Sequence, residues 1–146
     1  MASRTRVDVQ IVSRLAGIPS PAQFTRWIRA ALDAPATLAL RVVNAAEGRN
    51  LNSAFRGKDY ATNVLTFVYH EAGAAELLGD LVLCAPVVAR EAREQEKVLL
   101  HHYAHLTIHG ALHLAGLDHE KPREAKRMEA REIELLARFG IGNPYA

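Results

Sequence analysis

The sequence predicts one α+β domain: a small mixed sheet of about four strands packed with about five helices. Three observations predict it. A length of 146 residues suits one domain with a substantial core. Short strand-like runs interrupt stretches of helical period, and two of them, residues 64–69 and 81–84, follow each other across a loop as antiparallel neighbours do. No internal repeat, low-complexity tract or linker divides the chain, so residues 1–146 are expected to form a single unit.

The elements follow in order. Residues 7–12 alternate apolar and polar side chains, as a half-buried strand does. Pro19, Ser20 and Pro21 mark a loop, with Ser20 as N-cap of a helix over 22–32 whose apolar face is Phe24, Trp27, Ile28 and Ala31. The nearly continuous apolar run 37–43 predicts a central strand. A short helix is expected over 47–55, then a polar turn from Arg56 to Asp59. Residues 64–69 form a third strand, 70–76 a loop, and Gly79 and Asp80 lead into a fourth strand over 81–84. Pro86 fits the first turn of a helix reaching about Lys97. Residues 98–115 are apolar around most of the helical circumference, which predicts a buried central helix with its histidines on the remaining stripe. Pro122 opens a last helix with apolar positions Met128, Ile133, Leu136 and Phe139, and Gly140 ends it; the mixed charges of 121–138 read as its solvated face.

Composition narrows the function classes. Hydrophobic residues make up 49% of the chain and charged residues 23%, the profile of a soluble globular protein. A net charge of +2 permits RNA binding without announcing it; the basic residues Arg49, Arg56 and Lys58 cluster, with Arg4 and Arg6 at the start. The single cysteine, Cys84, excludes an internal disulfide and reads as a small buried hydrophobe. The N-terminus lacks an apolar signal region and no stretch reaches membrane-spanning length, so a cytoplasmic protein is expected.

The chemistry concentrates in His109, His113 and His119, within an eleven-residue run that also holds Gly110, Gly116 and Asp118. Four helical residues advance about 400°, so His109 and His113 lie one turn apart on one face. His101 and His105 extend that stripe, but His105 and His113 stand about 12 Å apart along the axis. Nitrogens on one tetrahedral zinc lie about 3.3 Å apart, so one ion takes an adjacent pair and the chain must turn back for a third ligand. Gly116 permits the turn and His119 waits beyond it. Three histidines leave a fourth position open, which points to chemistry rather than scaffolding. His101, His102 and His105 read as solvent-facing or core-edge residues, with a supporting role behind the ligands as the alternative. Asp118 either accepts the second ring N–H of a ligand or caps the turn.

The offsets of His109, His113, Gly116 and His119 are those of the metzincin motif His-Glu-x-x-His-x-x-Gly-x-x-His. The glutamate that activates water in those proteases is replaced here by Gly110, which argues against peptide hydrolysis. The run resembles instead the His-Gly-x-Leu-His-Leu-x-Gly-x-Asp-His motif of the YbeY-type endoribonucleases, bacterial rRNA maturation factors. The block from Leu51 to Asp59 resembles that family's Leu-Asn-x-x-(Tyr/Phe)-Arg-x-x-Asp segment, and Thr62-Asn63-Val64-Leu65-Thr66-Phe67 its Thr-Asp-Val-Leu-Ser-Phe segment. Gly79-Asp80-Leu81-Val82 and the closing Asn143-Pro144-Tyr145 match in order. Asn63 stands where the family carries an acidic residue, Ala61 where it carries proline, and Thr66 where it carries serine.

The resemblance implies a metal-dependent hydrolase domain that cuts single-stranded RNA, in 3′-end maturation of small-subunit rRNA and in ribosome quality control. It implies one zinc ion per chain on His109, His113 and His119, with Arg56 in the active cleft. The implied partners are an rRNA precursor and the ribosome, with ribosomal or assembly-factor proteins as further candidates and no membrane. The chemistry agrees: an open zinc polarises a phosphoryl oxygen or acidifies water, and a guanidinium pairs with a phosphate through two parallel hydrogen bonds. Asp59, Asp80, Asp118 and Glu120 are the general-base candidates by residue type; the nucleophile is either water or the substrate's own 2′-hydroxyl. The competing reading is a ribosome-associated assembly factor whose zinc is mainly structural.

Overall fold

The computed structural model describes residues 4–117 and 120–146. Strand β1 (Thr5–Ile11) leads to helix α1 (Pro21–Ala31), strand β2 (Ala36–Val43) and helix α2 (Ala45–Arg56). Strands β3 (Val64–Val68) and β4 (Leu77–Cys84) follow, then helices α3 (Ala85–Glu94), α4 (Leu99–Leu114) and α5 (Pro122–Arg138). The four strands form one sheet in the order β1-β2-β4-β3. β1 and β4 run parallel to β2, while β3 pairs antiparallel with β4, with Thr66 opposite Leu81. The mixed sheet and the antiparallel β3–β4 pair match the sequence expectation.

Local chemistry explains most boundaries. Ser20 caps α1 reciprocally: its hydroxyl accepts from the Gln23 N–H at 3.2 Å, and the Gln23 side chain accepts from the Ser20 N–H at 2.9 Å. β4 begins at Leu77, four residues before the expected strand, because β2 offers it a parallel partner from Ala36 onward. That pairing draws Gly79 and Asp80, which look like turn residues, into the ladder. α3 stops at Glu94 rather than Lys97. Glu96 turns left-handed at φ +54°, and the Lys97 N–H bonds back to the Ala92 carbonyl at 2.8 Å.

α4 is the central helix, as its apolar circumference predicts. Ten of its sixteen residues are buried, among them Tyr103, Ile108, Ala111 and Leu114. They pack with Phe24 and Ile28 of α1, Leu40 and Leu81 of the sheet, and Met128 and Leu136 of α5 in one core. A smaller cluster of Val43, Leu65 and Val82 forms under Leu51 of α2. Both faces of the sheet are therefore covered, which is why β4 is buried from Leu81 to Cys84. Cys84 is buried and unpaired, as expected. Among the described residues, no helix is long and apolar enough to cross a membrane.

Candidate active site

The end of α4 is built to reverse the chain. Gly116 adopts φ +101°, a left-handed conformation that strains residues with a Cβ. The Leu117 N–H bonds to the Leu112 carbonyl and the Gly116 N–H to the His113 carbonyl, each at 3.0 Å, completing a Schellman motif. The same turn brings the Leu117 carbonyl within 3.2 Å of His113 Nδ1. A carbonyl only accepts, so Nδ1 carries the proton there and Nε2 carries the lone pair.

One turn earlier, His109 Nδ1 lies 3.2 Å from Glu132 Oε2. Glu132 is a buried carboxylate on α5 that also accepts from His105 Nε2 at 2.6 Å and from the Tyr145 hydroxyl at 2.7 Å. Burial pushes this carboxyl up, but the hydrogen bonds from His105, His109 and Tyr145 together outweigh burial and hold it at about 2. An ionised carboxylate only accepts, so His109 also presents its Nε2 lone pair. Two imidazoles that each donate from Nδ1 are held from behind in the way metal-ligating histidines are, with Nε2 as the nitrogen a divalent metal would take.

Both histidines line a cleft of about 530 Å³ with Arg56, Glu120 and a wall from β3 that includes Leu65, Thr66 and Phe67. The structure thus brings Arg56, His109 and His113 together. His119 and Asp118 lie outside the described residues. Among the described residues, no group of three or more His, Cys, Asp or Glu side chains is arranged to hold a metal ion. Gly110 faces the sheet: a Cβ there would stand 3.0 Å from Leu81 Cδ2 and 3.4 Å from both Thr66 Oγ1 and Val64 Cγ2. The glycine that removes the protease base is therefore also the contact that seats α4 on β3 and β4.

Arg56 ends α2 and is exposed at the cleft, and among the described residues its guanidinium makes no hydrogen bond or ion pair. Arg49 differs, being held by Asp59 through bonds of 2.8 and 3.0 Å. That pairing lowers the Asp59 carboxyl and occupies a base candidate. Asp80 is engaged as well, accepting from the Tyr69 hydroxyl at 2.7 Å. Of the four base candidates, Glu120 is the described one that lines the cleft.

Sequence reasoning missed Glu132, taking its helix segment as a solvated face. The signal was present: Met128, Glu132, Leu135 and Leu136 are the buried residues of α5, so the carboxylate sits inside the apolar stripe. The expected positions Ile133 and Phe139 are only half-buried. His105 lies at the core edge as expected, and its Nε2 bonds the same carboxylate as His109, which fits the supporting role given as the alternative.

His102 is buried and bonds through Nε2 to Glu91 at 2.9 Å, while its Nδ1 finds no hydrogen-bond partner among the described residues. Asn63 donates to the same carboxylate at 3.1 and 3.3 Å and accepts from the Val64 N–H at 2.6 Å. An acidic residue at 63 would set a second carboxylate against Glu91, so the amide is the compatible choice here. Burial lowers the basicity of His102 despite Glu91, so the folded protein resists protonating it. Its contribution to stability is present above the ordinary histidine value of about 6.5 and declines as pH falls from there through the lowered value. Urea midpoints of metal-free protein should therefore drop as pH falls below about 6.5, and His102→Gln should flatten that decline. An identical slope in the variant would refute the assignment.

Comparison with known proteins agrees with this arrangement. The family described as Endoribonuclease YbeY matches residues 18–140. A protein named Endoribonuclease YbeY from Thiobacillus denitrificans is 54% identical over 145 residues, covering 99% of each chain. One of the same name from Aromatoleum aromaticum is 59% identical over 128 residues, covering 88% of this chain and 82% of its own. The solution structure of TM1509 from Thermotoga maritima superimposes with a TM-score of 0.57 over 92% of this chain and 91% of that one. At 23% identity it supports the fold alone. A match along nearly the whole chain, with the motif's arginine and two of its histidines in one cleft, makes this chain a member of the Endoribonuclease YbeY family.

Proposed function

We propose that this chain is a zinc-dependent endoribonuclease that cuts single-stranded RNA in the cytoplasm, acting in 3′-end maturation of small-subunit rRNA and in ribosome quality control. One observation carries the reading: a guanidinium with no hydrogen bond or ion pair among the described residues lines the same cleft as two imidazoles, each held through Nδ1. His109, His113 and His119 would hold one zinc per chain. Bound there, zinc supplies Lewis acidity toward a phosphoryl oxygen and acidifies water.

The chain's own residues do the rest. Arg56 takes two oxygens of the scissile phosphate in its planar fork and stabilises the charge that gathers on them. Val64, Leu65 and Phe67 give the cleft an apolar wall that strengthens those interactions by limiting water. Glu120 lines the cleft where a carboxylate can take the proton of the attacking hydroxyl. The names of the relatives support RNA as substrate, and rRNA, the ribosome and its assembly proteins are the partners this reading assigns.

Metal removal tests it. Zinc-loaded protein should cut an unpaired RNA and spare a duplex of the same sequence. A chelator should abolish cleavage and added zinc should restore it. Cleavage that survives metal removal overturns the reading. So does tight RNA binding without cleavage by zinc-loaded protein, which is the outcome expected of an assembly factor with structural zinc. Cut ends bearing a 2′,3′-cyclic phosphate assign the substrate's 2′-hydroxyl as nucleophile.

A further inference from the structure

We propose that Glu132 is a positioning residue for the ligand His109, and that Tyr145 near the C-terminus holds Glu132 in place. The inference rests on the metal reading above. It gives a role to the closing Asn143-Pro144-Tyr145 segment, which the cleft itself does not use.

The geometry is a relay between two elements. Glu132 Oε2 accepts from His109 Nδ1 at 3.2 Å, while Oε1 accepts from His105 Nε2 at 2.6 Å and from the Tyr145 hydroxyl at 2.7 Å. Tyr145 is seated by its own N–H on the Asn143 side chain at 2.8 Å and by an edge-on contact with the His105 ring at 5.3 Å. Tyr145 is itself an exposed residue, yet its hydroxyl reaches a carboxylate that is 1% exposed. Packing alone does not account for Glu132. Its buried neighbours on α5 are Met128, Leu135 and Leu136, and an apolar residue there would avoid the cost of burying a charge. The carboxylate earns its place by fixing His109: it holds the proton on Nδ1 and sets the ring orientation that turns Nε2 toward the cleft. Tyr145 and His105 prevent the carboxylate from rotating away, since both bond the oxygen that His109 does not use.

Glu132→Gln keeps the shape but places an amide N–H₂ against a donor, either His109 or the His105–Tyr145 pair. Tyr145→Phe removes one donor and leaves the His109 bond. Zinc affinity is measured by competition with a chromogenic chelator. The His109 tautomer is read by nitrogen-15 NMR of metal-free protein at pH 8. Glu132→Gln should weaken zinc binding about 10–100-fold and shift His109 away from its Nδ1–H form. Tyr145→Phe should weaken binding by less, in the same direction. A merely structural Glu132 would lower the melting temperature while leaving the tautomer of the folded fraction unchanged, and that result overturns the inference. If Glu132→Gln does not fold, Tyr145→Phe decides, and unchanged zinc affinity in it is also fatal. Failure of the underlying reading looks different: wild-type protein then binds no zinc, or binds it equally well as His113→Ala.

Discussion

His113→Ala protein is expected to lose zinc and RNA cleavage together, with cleavage falling by about three orders of magnitude or more toward the metal-free rate. The argument starts from the turn after α4. Gly116 reverses the chain, the Leu117 carbonyl holds the proton on His113 Nδ1, and the Nε2 lone pair is thereby offered to the cleft. His109 is fixed in the same tautomer by Glu132. Removing either imidazole leaves two of the three proposed ligands, too few for a stable site. The loss should not be one of folding. His113 is only half-buried, alanine favours the helix, and the lost hydrogen bond to Leu117 is worth about 1 kcal/mol. Zinc content, thermal melting and cleavage of an unpaired RNA, measured side by side, check this. His101→Ala is the control, because His101 stands on the same helical ladder but lines a different cavity, beside Ile141 and Pro144. It should keep both metal and activity. Full cleavage by His113→Ala would remove the metal from the mechanism.

How far the sequence could be read follows from the range of each interaction. Local signals held. The Ser20 cap, the apolar period of α4 and the Gly116 turn all rest on contacts within a few residues, and each is found where expected. Features set by distant partners were harder. β4 starts at Leu77 because β2 lies beside it, and nothing in Gly79 or Asp80 announces a parallel neighbour some forty residues away. The end of α3 turned on the left-handed conformation of Glu96, an uncommon choice for a residue with a side chain. The candidate site divides in the same way. His109 and His113 were legible from spacing four, and the fold adds that Arg56, more than fifty residues before them, lines the same cleft. Glu132 was missed for a different reason, because its signal is local but masked by charged neighbours. A glutamate between Arg131 and Ile133 in a charge-rich helix looks solvated, and only its register with Met128 and Leu136 places it inside.

Arg56→Ala should keep zinc and fold while losing about 10²–10³-fold in kcat/KM on unpaired RNA. Both halves come from the position of the side chain. Arg56 is the last residue of α2 and is exposed, so truncation should change stability by about 0.5 kcal/mol or less. Its guanidinium makes no ion pair among the described residues, so no structural partner is orphaned and no metal contact is disturbed. What disappears is a planar fork at the cleft, of the kind that pairs two phosphate oxygens as charge develops on them. Arg56→Lys should therefore recover only part of the loss, because an ammonium restores the charge but not the two parallel bonds. Arg49→Ala gives the contrast: Arg49 is already paired with Asp59 outside the cleft, and its removal should leave turnover nearly unchanged. Zinc content and steady-state kinetics on the three variants check the set. Equal turnover for wild type and Arg56→Ala would exclude Arg56 from the active site. Equal rates for Arg56→Lys and wild type would reduce its role to charge alone, since geometry is what separates the two side chains at this position.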